Sequence, residues 1–248
     1  LLKKAKLENS ELFPEHFVKA ITHVRVKDNY DFSVTEIVRP LQMIYLQRTN
    51  DYEIDALNGI KALMGTAFHA YMETQKVKNP DDYVMEKRVF KTIEGITISG
   101  QPDLYHKSAR TLWDYKTTGM YRANMVLKGD ILKTEREWVI QTNCYRYMAE
   151  LDCNKIKILA VVTDFRKNNN YGLDKPVIII DLPTINNDSM EKWLIKRVKK
   201  IKETMDVGKY PECSEEETWG GKRCKDWCDV SSFCKQYRKT VKQGFDYE

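Results

Sequence analysis

Gly100-Gln101-Pro102-Asp103-Leu104-Tyr105-His106-Lys107-Ser108-Ala109-Arg110-Thr111-Leu112-Trp113-Asp114-Tyr115-Lys116-Thr117-Thr118 reads as two strands joined by a short polar turn. Ile96 to Tyr105 is rich in β-branched and aromatic residues, and Leu112, Trp113 and Tyr115 continue in that style after the turn. Lys107 to Arg110 suits a four-residue hairpin loop. A turn centred between Ser108 and Ala109 sets Asp103 directly opposite Asp114, with Cβ atoms roughly 4.5–5.5 Å apart. Like charges opposed across a ladder repel, so a cation between them is the simplest reason to place them there. Side chains alternate along a strand, so Lys116 shares the face of Asp114 and Tyr115 points away. Two acids and an amine on one surface could hold a hard divalent ion, activate a water and neutralise charge on a phosphate. The plain alternative is a surface hairpin with a solvated lysine.

Upstream, Leu57 to Gln75 has helical periodicity, with Leu63, Ala67, Phe68, Tyr71 and Met72 expected on the core face. Gly65, His69 and Glu73 stack on one face of that helix. His69 is either a structural histidine or a ligand, and Glu73 a candidate partner holding it. Asn79-Pro80-Asp81-Asp82 breaks the helix. Val84 to Lys91 then forms a strand that turns at Glu94-Gly95 into the one carrying Asp103, giving a three-strand meander. Further upstream, Ser33 and Glu36 form a capping box before a helix that Pro40 interrupts. Phe17, Val18, Ile21, Val24 and Val26 suggest a short helix or strand packing on the body, and His16 and His23 read as surface residues.

Downstream, Gly119 to Gly129 reads as a polar connection, followed by a helix from Leu132 to Leu151 that puts Gln141 and Tyr145 on one face. Ile156 to Phe165 and Val177 to Leu182 are near-continuous apolar runs, expected as strands buried on both faces. Met190 to Met205 is an amphipathic helix with Leu194, Val198, Ile201 and Met205 inward. Its other faces carry Lys192, Lys196, Arg197, Lys199, Lys200 and Lys202, either a solvated surface or a nucleic-acid contact.

The 248 residues suffice for a full core, with 42% hydrophobic and 31% charged residues. A net charge of +5 permits a polyanionic partner without demanding one. No run approaches the length of a membrane span and no signal peptide opens the chain, so a cytoplasmic location is expected. Six cysteines in such a chain argue against a disulfide framework. Cys144 and Cys153 read as core residues. Cys213, Cys224, Cys228 and Cys234 crowd into a segment poor in aliphatic residues, where four thiolates suit zinc or an iron–sulfur cluster; reduced thiols are the plain alternative.

Taken in order, Gly65-x-x-x-His69, Gly100-x-x-Asp103, Asp114-Tyr115-Lys116-Thr117 and Gln141-x-x-x-Tyr145 resemble the RecB-type branch of the PD-(D/E)XK nucleases, including phage-type exonucleases and CRISPR-adaptation nucleases. Ser33-Val34-Thr35 followed by Pro40 is similar to that family's N-terminal helix entry. The resemblance spans roughly Ser33 to Cys234. It implies an α/β restriction-endonuclease-like core, a central mixed sheet flanked by helices, over residues 32–206. Residues 1–31 would be an extension packed on that core, and 207–248 a cysteine-containing segment of the same domain. It implies Mg²⁺ or Mn²⁺ held by His69, Asp103, Asp114 and the carbonyl of Tyr115. It also implies that Lys116 positions or activates the water, while Gln141 and Tyr145 support the site and contact DNA. Iron–sulfur members pair one cysteine just before the Pro40 position with three near the C-terminus. Here that earlier position is Arg39, so Cys213 supplies the fourth ligand to a 4Fe–4S cluster, or the cysteines bind zinc or nothing.

The expected function is a metal-dependent deoxyribonuclease, an exonuclease acting on linear duplex or single-stranded ends in recombination, repair or phage DNA processing. Lys196, Arg197, Lys199 and Lys200 would guide DNA, and a helicase or single-strand annealing protein is a candidate partner. The alternative is a catalytically silent DNA-binding module on the same scaffold, with a cysteine-bound metal.

Overall fold

A computed structural model describes residues 3–23 and 29–239 of the chain. Val24 and Val26, expected to pack on the body, lie outside the described residues. The strands are β1 (Lys3–Lys6), β2 (Phe32–Ser33), β3 (Tyr52–Asp55), β4 (Tyr83–Met85), β5 (Val89–Ile93), β6 (Ile96–Gly100), β7 (Leu104–His106), β8 (Thr111–Thr118), β9 (Lys155–Val162) and β10 (Val177–Leu182). The helices are α1 (Glu15–Thr22), α2 (Val34–Ile37), α3 (Leu41–Thr49), α4 (Ile60–Glu73), α5 (Met120–Lys128), α6 (Ile131–Thr134), α7 (Arg136–Met148), α8 (Asn187–Val207), α9 (Glu215–Thr218) and α10 (Lys222–Asp226). The chain is a mixed α/β structure that divides into two compact units. One takes residues 29–38 and 64–196; the other takes 39–63 and 197–239 together with the N-terminal segment.

The first unit is built on a five-stranded sheet of order β10-β9-β8-β7-β4, with β8 and β9 parallel and the other pairs antiparallel. The quoted hairpin forms in the expected register: Leu104 pairs with Trp113, Tyr105 with Leu112 and His106 with Thr111. One step further out, beyond the end of β7, come Asp103 and Asp114. The expected meander is divided. β5 and β6 join β2 in a separate three-stranded sheet, and Gln101-Pro102-Asp103 breaks the strand between β6 and β7. Pro102 has no N–H to give a ladder, and the Asp103 carbonyl instead accepts from the Glu86 N–H at 3.0 Å.

The helical layer over β8 and β9 corrects the sequence reading at one point. Gly119 to Gly129 is not a polar connection but carries α5, whose Met120, Ala123 and Val126 recur three apart and are buried. Asp164 accepts from the Met120 N–H at 2.7 Å and starts that helix. The following α7 buries Val139, Thr142, Asn143 and Cys144 completely. β9 buries Ile156, Ile158, Ala160 and Val162 on one face and half-exposes the other, so it is not buried on both sides. β10 is an edge strand with Val177 and Ile179 exposed, again contrary to expectation.

Ser33 caps α2 in a complete capping box with Glu36, and Pro40 precedes α3 as its N-cap. α4 exists, but none of its residues is buried; Tyr71 is exposed, and Phe68 rests edge-on against Tyr115 at 5.9 Å. In the second unit β1 and β3 pair in parallel, and Leu46, Tyr52, Val230 and Cys234 form a core cluster. In α8, Met190, Leu194, Val198 and Ile201 are buried. Among the described residues no helix is long and apolar enough to cross a membrane.

Candidate metal centre and active site

β7 stops one residue short of Asp103, and this shortfall opens the site. At that point β8 has lost its neighbour, and the Tyr115 N–H would be left without a strand partner. Asp103 Oδ2 accepts it at 2.6 Å, so the carboxylate completes the ladder and is held rigidly. Its other oxygen, Oδ1, lies 3.4 Å from His69 Nδ1. The same nitrogen lies 3.2 Å from Oε1 of Glu86. His69, Glu86 and Asp103 offer ligand atoms that all lie within 4.8 Å of one another.

Glu86 was not singled out in the sequence. It stands between β4 and β5 with φ 46°, a left-handed conformation uncommon for a non-glycine residue. That backbone turn ends β4 and aims the side chain inward. Glu86 Oε2 accepts from Gln101 Nε2 at 2.7 Å; Gln101 in turn accepts from Arg88, which also donates to Ser99 at 2.8 Å. The partner expected from Glu73 is therefore supplied by Glu86, and Glu73 is exposed at the end of α4.

His69 Nδ1 faces both carboxylates and can share its proton between them. Hydrogen bonding of the imidazole to the Asp103 and Glu86 carboxylates, which accept, raises its pKa from 6.5 to about 10, outweighing burial.

Asp114 and Lys116 project from β8 toward α7. The Lys116 ammonium is 2.6 Å from Asp114 Oδ2, and both side chains are largely enclosed. Burial drives the Asp114 pKa up from 3.8 to about 6, with Lys116 opposing and Asp103 reinforcing the shift. Burial works to lower the Lys116 pKa, but Asp114 and Tyr145 together hold it above its ordinary value. Lys116 also reaches Gln141 Oε1 at 3.5 Å, and Gln141 Nε2 donates to the Tyr145 hydroxyl at 2.7 Å. The structure thus strings Asp114, Lys116, Gln141 and Tyr145 along one line.

Asp114 does not belong to the group of ligand atoms within 4.8 Å. Its Oδ2 is buried and is met by the Lys116 ammonium at 2.6 Å. One imidazole and two carboxylates converging within 4.8 Å, with the buried Asp114 carboxylate nearby, fit a hard divalent cation. Such an oxygen-rich set suits a hard divalent metal better than a soft one.

A family model described as the PD-(D/E)XK nuclease superfamily matches residues 47–235. The chain belongs to the PD-(D/E)XK nuclease superfamily. Its mixed sheets flanked by helices are the restriction-endonuclease-like fold of that superfamily. Membership makes the chain a nuclease, with nucleic acid as the substrate class and a divalent metal as the usual cofactor. The crystal structure of SSO0001 is similar at a TM-score of 0.55 and 15% identity, covering 88% of this chain and 93% of that one. At that identity the likeness is one of fold. No curated protein matches the chain.

In the second unit of this nuclease, Cys213, Cys224, Cys228 and Cys234 line a single cavity with Pro40, Gln42 and neighbouring side chains. Cys213 Sγ lies 3.1 Å from Gln42 Oε1, which brings it to the first turn of α3. Burial raises the Cys213 thiol to about 12, helped by Glu217 and the other cysteines, and burial likewise raises Cys224 and Cys228. Among the described residues no three of these sulfurs lie within 4.8 Å of one another. Cys144 and Cys153 are buried, as expected of core residues. On α8, Lys196, Lys199 and Lys200 are exposed, whereas Arg197 is half-buried and donates to the Arg39 carbonyl.

Proposed function

We propose that the chain is a Mg²⁺- or Mn²⁺-dependent exodeoxyribonuclease acting on the ends of linear DNA in recombination, repair or phage DNA processing. The observation that carries this reading is the convergence of His69, Glu86 and Asp103 beside the buried Asp114–Lys116 pair. When bound there, a divalent ion neutralises the phosphate oxygens and lowers the pKa of a water. His69, Glu86 and Asp103 are the residues that would hold it, with the Asp114 carboxylate and the Tyr115 carbonyl completing the set.

The protein groups do the rest. Asp103 keeps its place by accepting the Tyr115 N–H, so the ligand geometry is fixed before substrate arrives. Lys116 places its ammonium where a phosphate oxygen or an attacking water needs it, and Gln141 holds the amine from the far side. Tyr145 fixes Gln141 in turn. The exposed lysines of α8 are candidates for contacts to the DNA backbone. A cytoplasmic location is the expected one for such an enzyme. A helicase or a single-strand annealing protein remains the expected kind of partner.

The four cysteines are proposed to hold a 4Fe–4S cluster or a zinc ion. The four thiols line one cavity, and Cys213 reaches Gln42 at the start of α3, which supports a metal held by these cysteines. Iron analysis of anaerobically purified protein separates the two metals.

The test is release of nucleotides from linear duplex and single-stranded DNA, with open and blocked ends, in Mn²⁺, Mg²⁺ or EDTA. Hydrolysis should require the divalent ion and a free end. It should fall about 10²-fold or more in Asp103→Asn, which keeps the oxygen that accepts Tyr115. Full activity in EDTA, or undiminished cleavage by Asp103→Asn, would refute the reading.

A further inference from the structure

β10 closes one side of the five-stranded sheet without a neighbour beyond it. The Val162 N–H donates to the Pro176 carbonyl at 2.8 Å, which fixes which backbone groups face β9. In an antiparallel pair these groups alternate, so Pro176, Ile178, Ile180 and Leu182 turn theirs toward β9. Val177, Ile179 and Asp181 turn theirs outward, and among the described residues those N–H groups have no hydrogen-bond partner. On the face of the sheet at the same positions, Val177 and Ile179 are 39% and 55% exposed, so apolar side chains border this edge. An edge strand of this composition is ordinarily shielded by charges or covered. Pro176 does not shield it, because its missing N–H points at β9 and not at the free edge.

We propose that this edge is a dimer interface at which a second copy of the chain adds its own β10 in antiparallel register. One register satisfies the exposed groups. With the two-fold axis through Ile178, Val177 faces the partner's Ile179, and Ile179 faces the partner's Val177. Those are the residues with outward N–H and C=O groups, so the two pairs exchange about four backbone hydrogen bonds. The same register sets Asp181 opposite the partner's Lys175, giving charge complementarity at both ends of the strand. Asp181 already holds Lys157 at 2.6 Å, so each end becomes a short network of alternating charge. A register shifted by one residue would oppose outward-facing groups to inward-facing ones and lose the hydrogen bonds. Two-fold self-complementarity of this kind is what an isologous interface requires.

The experiment is sedimentation equilibrium of the full chain across a wide concentration range, with a disulfide trap as a second readout. The wild type should dimerise reversibly. Ile179→Lys, a change at an exposed side chain, should weaken the dimer at least tenfold without altering thermal stability of the monomer. Lys175→Asp should also weaken it, and adding Asp181→Lys to that variant should restore it. Oxidised Ile178→Cys should form an interchain disulfide at the axis, whereas Val177→Cys should not, because its partner is Ile179. A wild type that stays monomeric and an Ile178→Cys variant that fails to cross-link would overturn the proposal. So would a dimer indifferent to Ile179→Lys.

Discussion

His69 carries two opposing demands. As a ligand it must lend a lone pair to the metal, yet without metal it is held protonated between Asp103 and Glu86, with its pKa raised to about 10. The folded protein keeps a proton that the unfolded chain releases above about pH 6.5. The resulting stabilisation is therefore full below that pH and is lost as the pH rises toward 10. In metal-free protein, thermal stability measured between pH 7 and 10 should fall more steeply for the wild type than for His69→Gln, and the two should converge at the alkaline end. A gap between them that stays constant across that range would show that the shared proton is absent. The histidine was legible in the sequence because it sits one helical turn after Gly65, ahead of the acidic hairpin. Glu86 was not legible. Its position depends on a left-handed residue between two short strands and on Gln101, fifteen residues away, whose amide holds it. No local spacing encodes that meeting.

At the scale of elements, the hairpin was readable because its turn and its alternation agree, and the pairing Leu104–Trp113 through His106–Thr111 follows from centring the turn. α5 was missed because Arg122, Asn124 and Lys128 dilute a stripe of only three buried residues. β9 and β10 were assigned correctly as strands but wrongly as doubly buried: a continuous apolar run does not say which strand will be the edge. The junction of elements most sensitive to change is Gly100, the last residue of β6. A Cβ there would stand 3.0 Å from Tyr145 Cδ1 and 3.3 Å from Val34 Cγ2. Tyr145 is buried and positions Gln141, so it cannot move aside without disturbing the line that ends at Lys116. Gly100→Ala should therefore cost about 1–3 kcal/mol of stability in denaturant unfolding and depress nuclease activity. An unchanged midpoint with full activity would mean that the contact relaxes freely.

Across the whole molecule, the order of four weak motifs gave the superfamily, while the division into units did not follow the linear order of the chain. Residues 39–63 join the C-terminal segment in one unit, although the sequence reads continuously from the capped α2 across Pro40 into α3. Charge was a weak guide: a balance of +5 fits a polyanionic substrate but does not identify one. The metal group, by contrast, draws on segments far apart in the chain, from α4, from the turn after β4 and from the break before β7. Those segments meet only in the folded state, so ion binding and folding must be linked. Titration calorimetry of Mn²⁺ into EDTA-stripped protein tests this most directly. The wild type and Glu73→Gln should take up the ion equally, Glu86→Gln should bind at least tenfold more weakly, and Asp103→Asn should show the greatest loss. Absence of Mn²⁺ uptake by the wild type, or equal affinity in Glu86→Gln, would contradict the account.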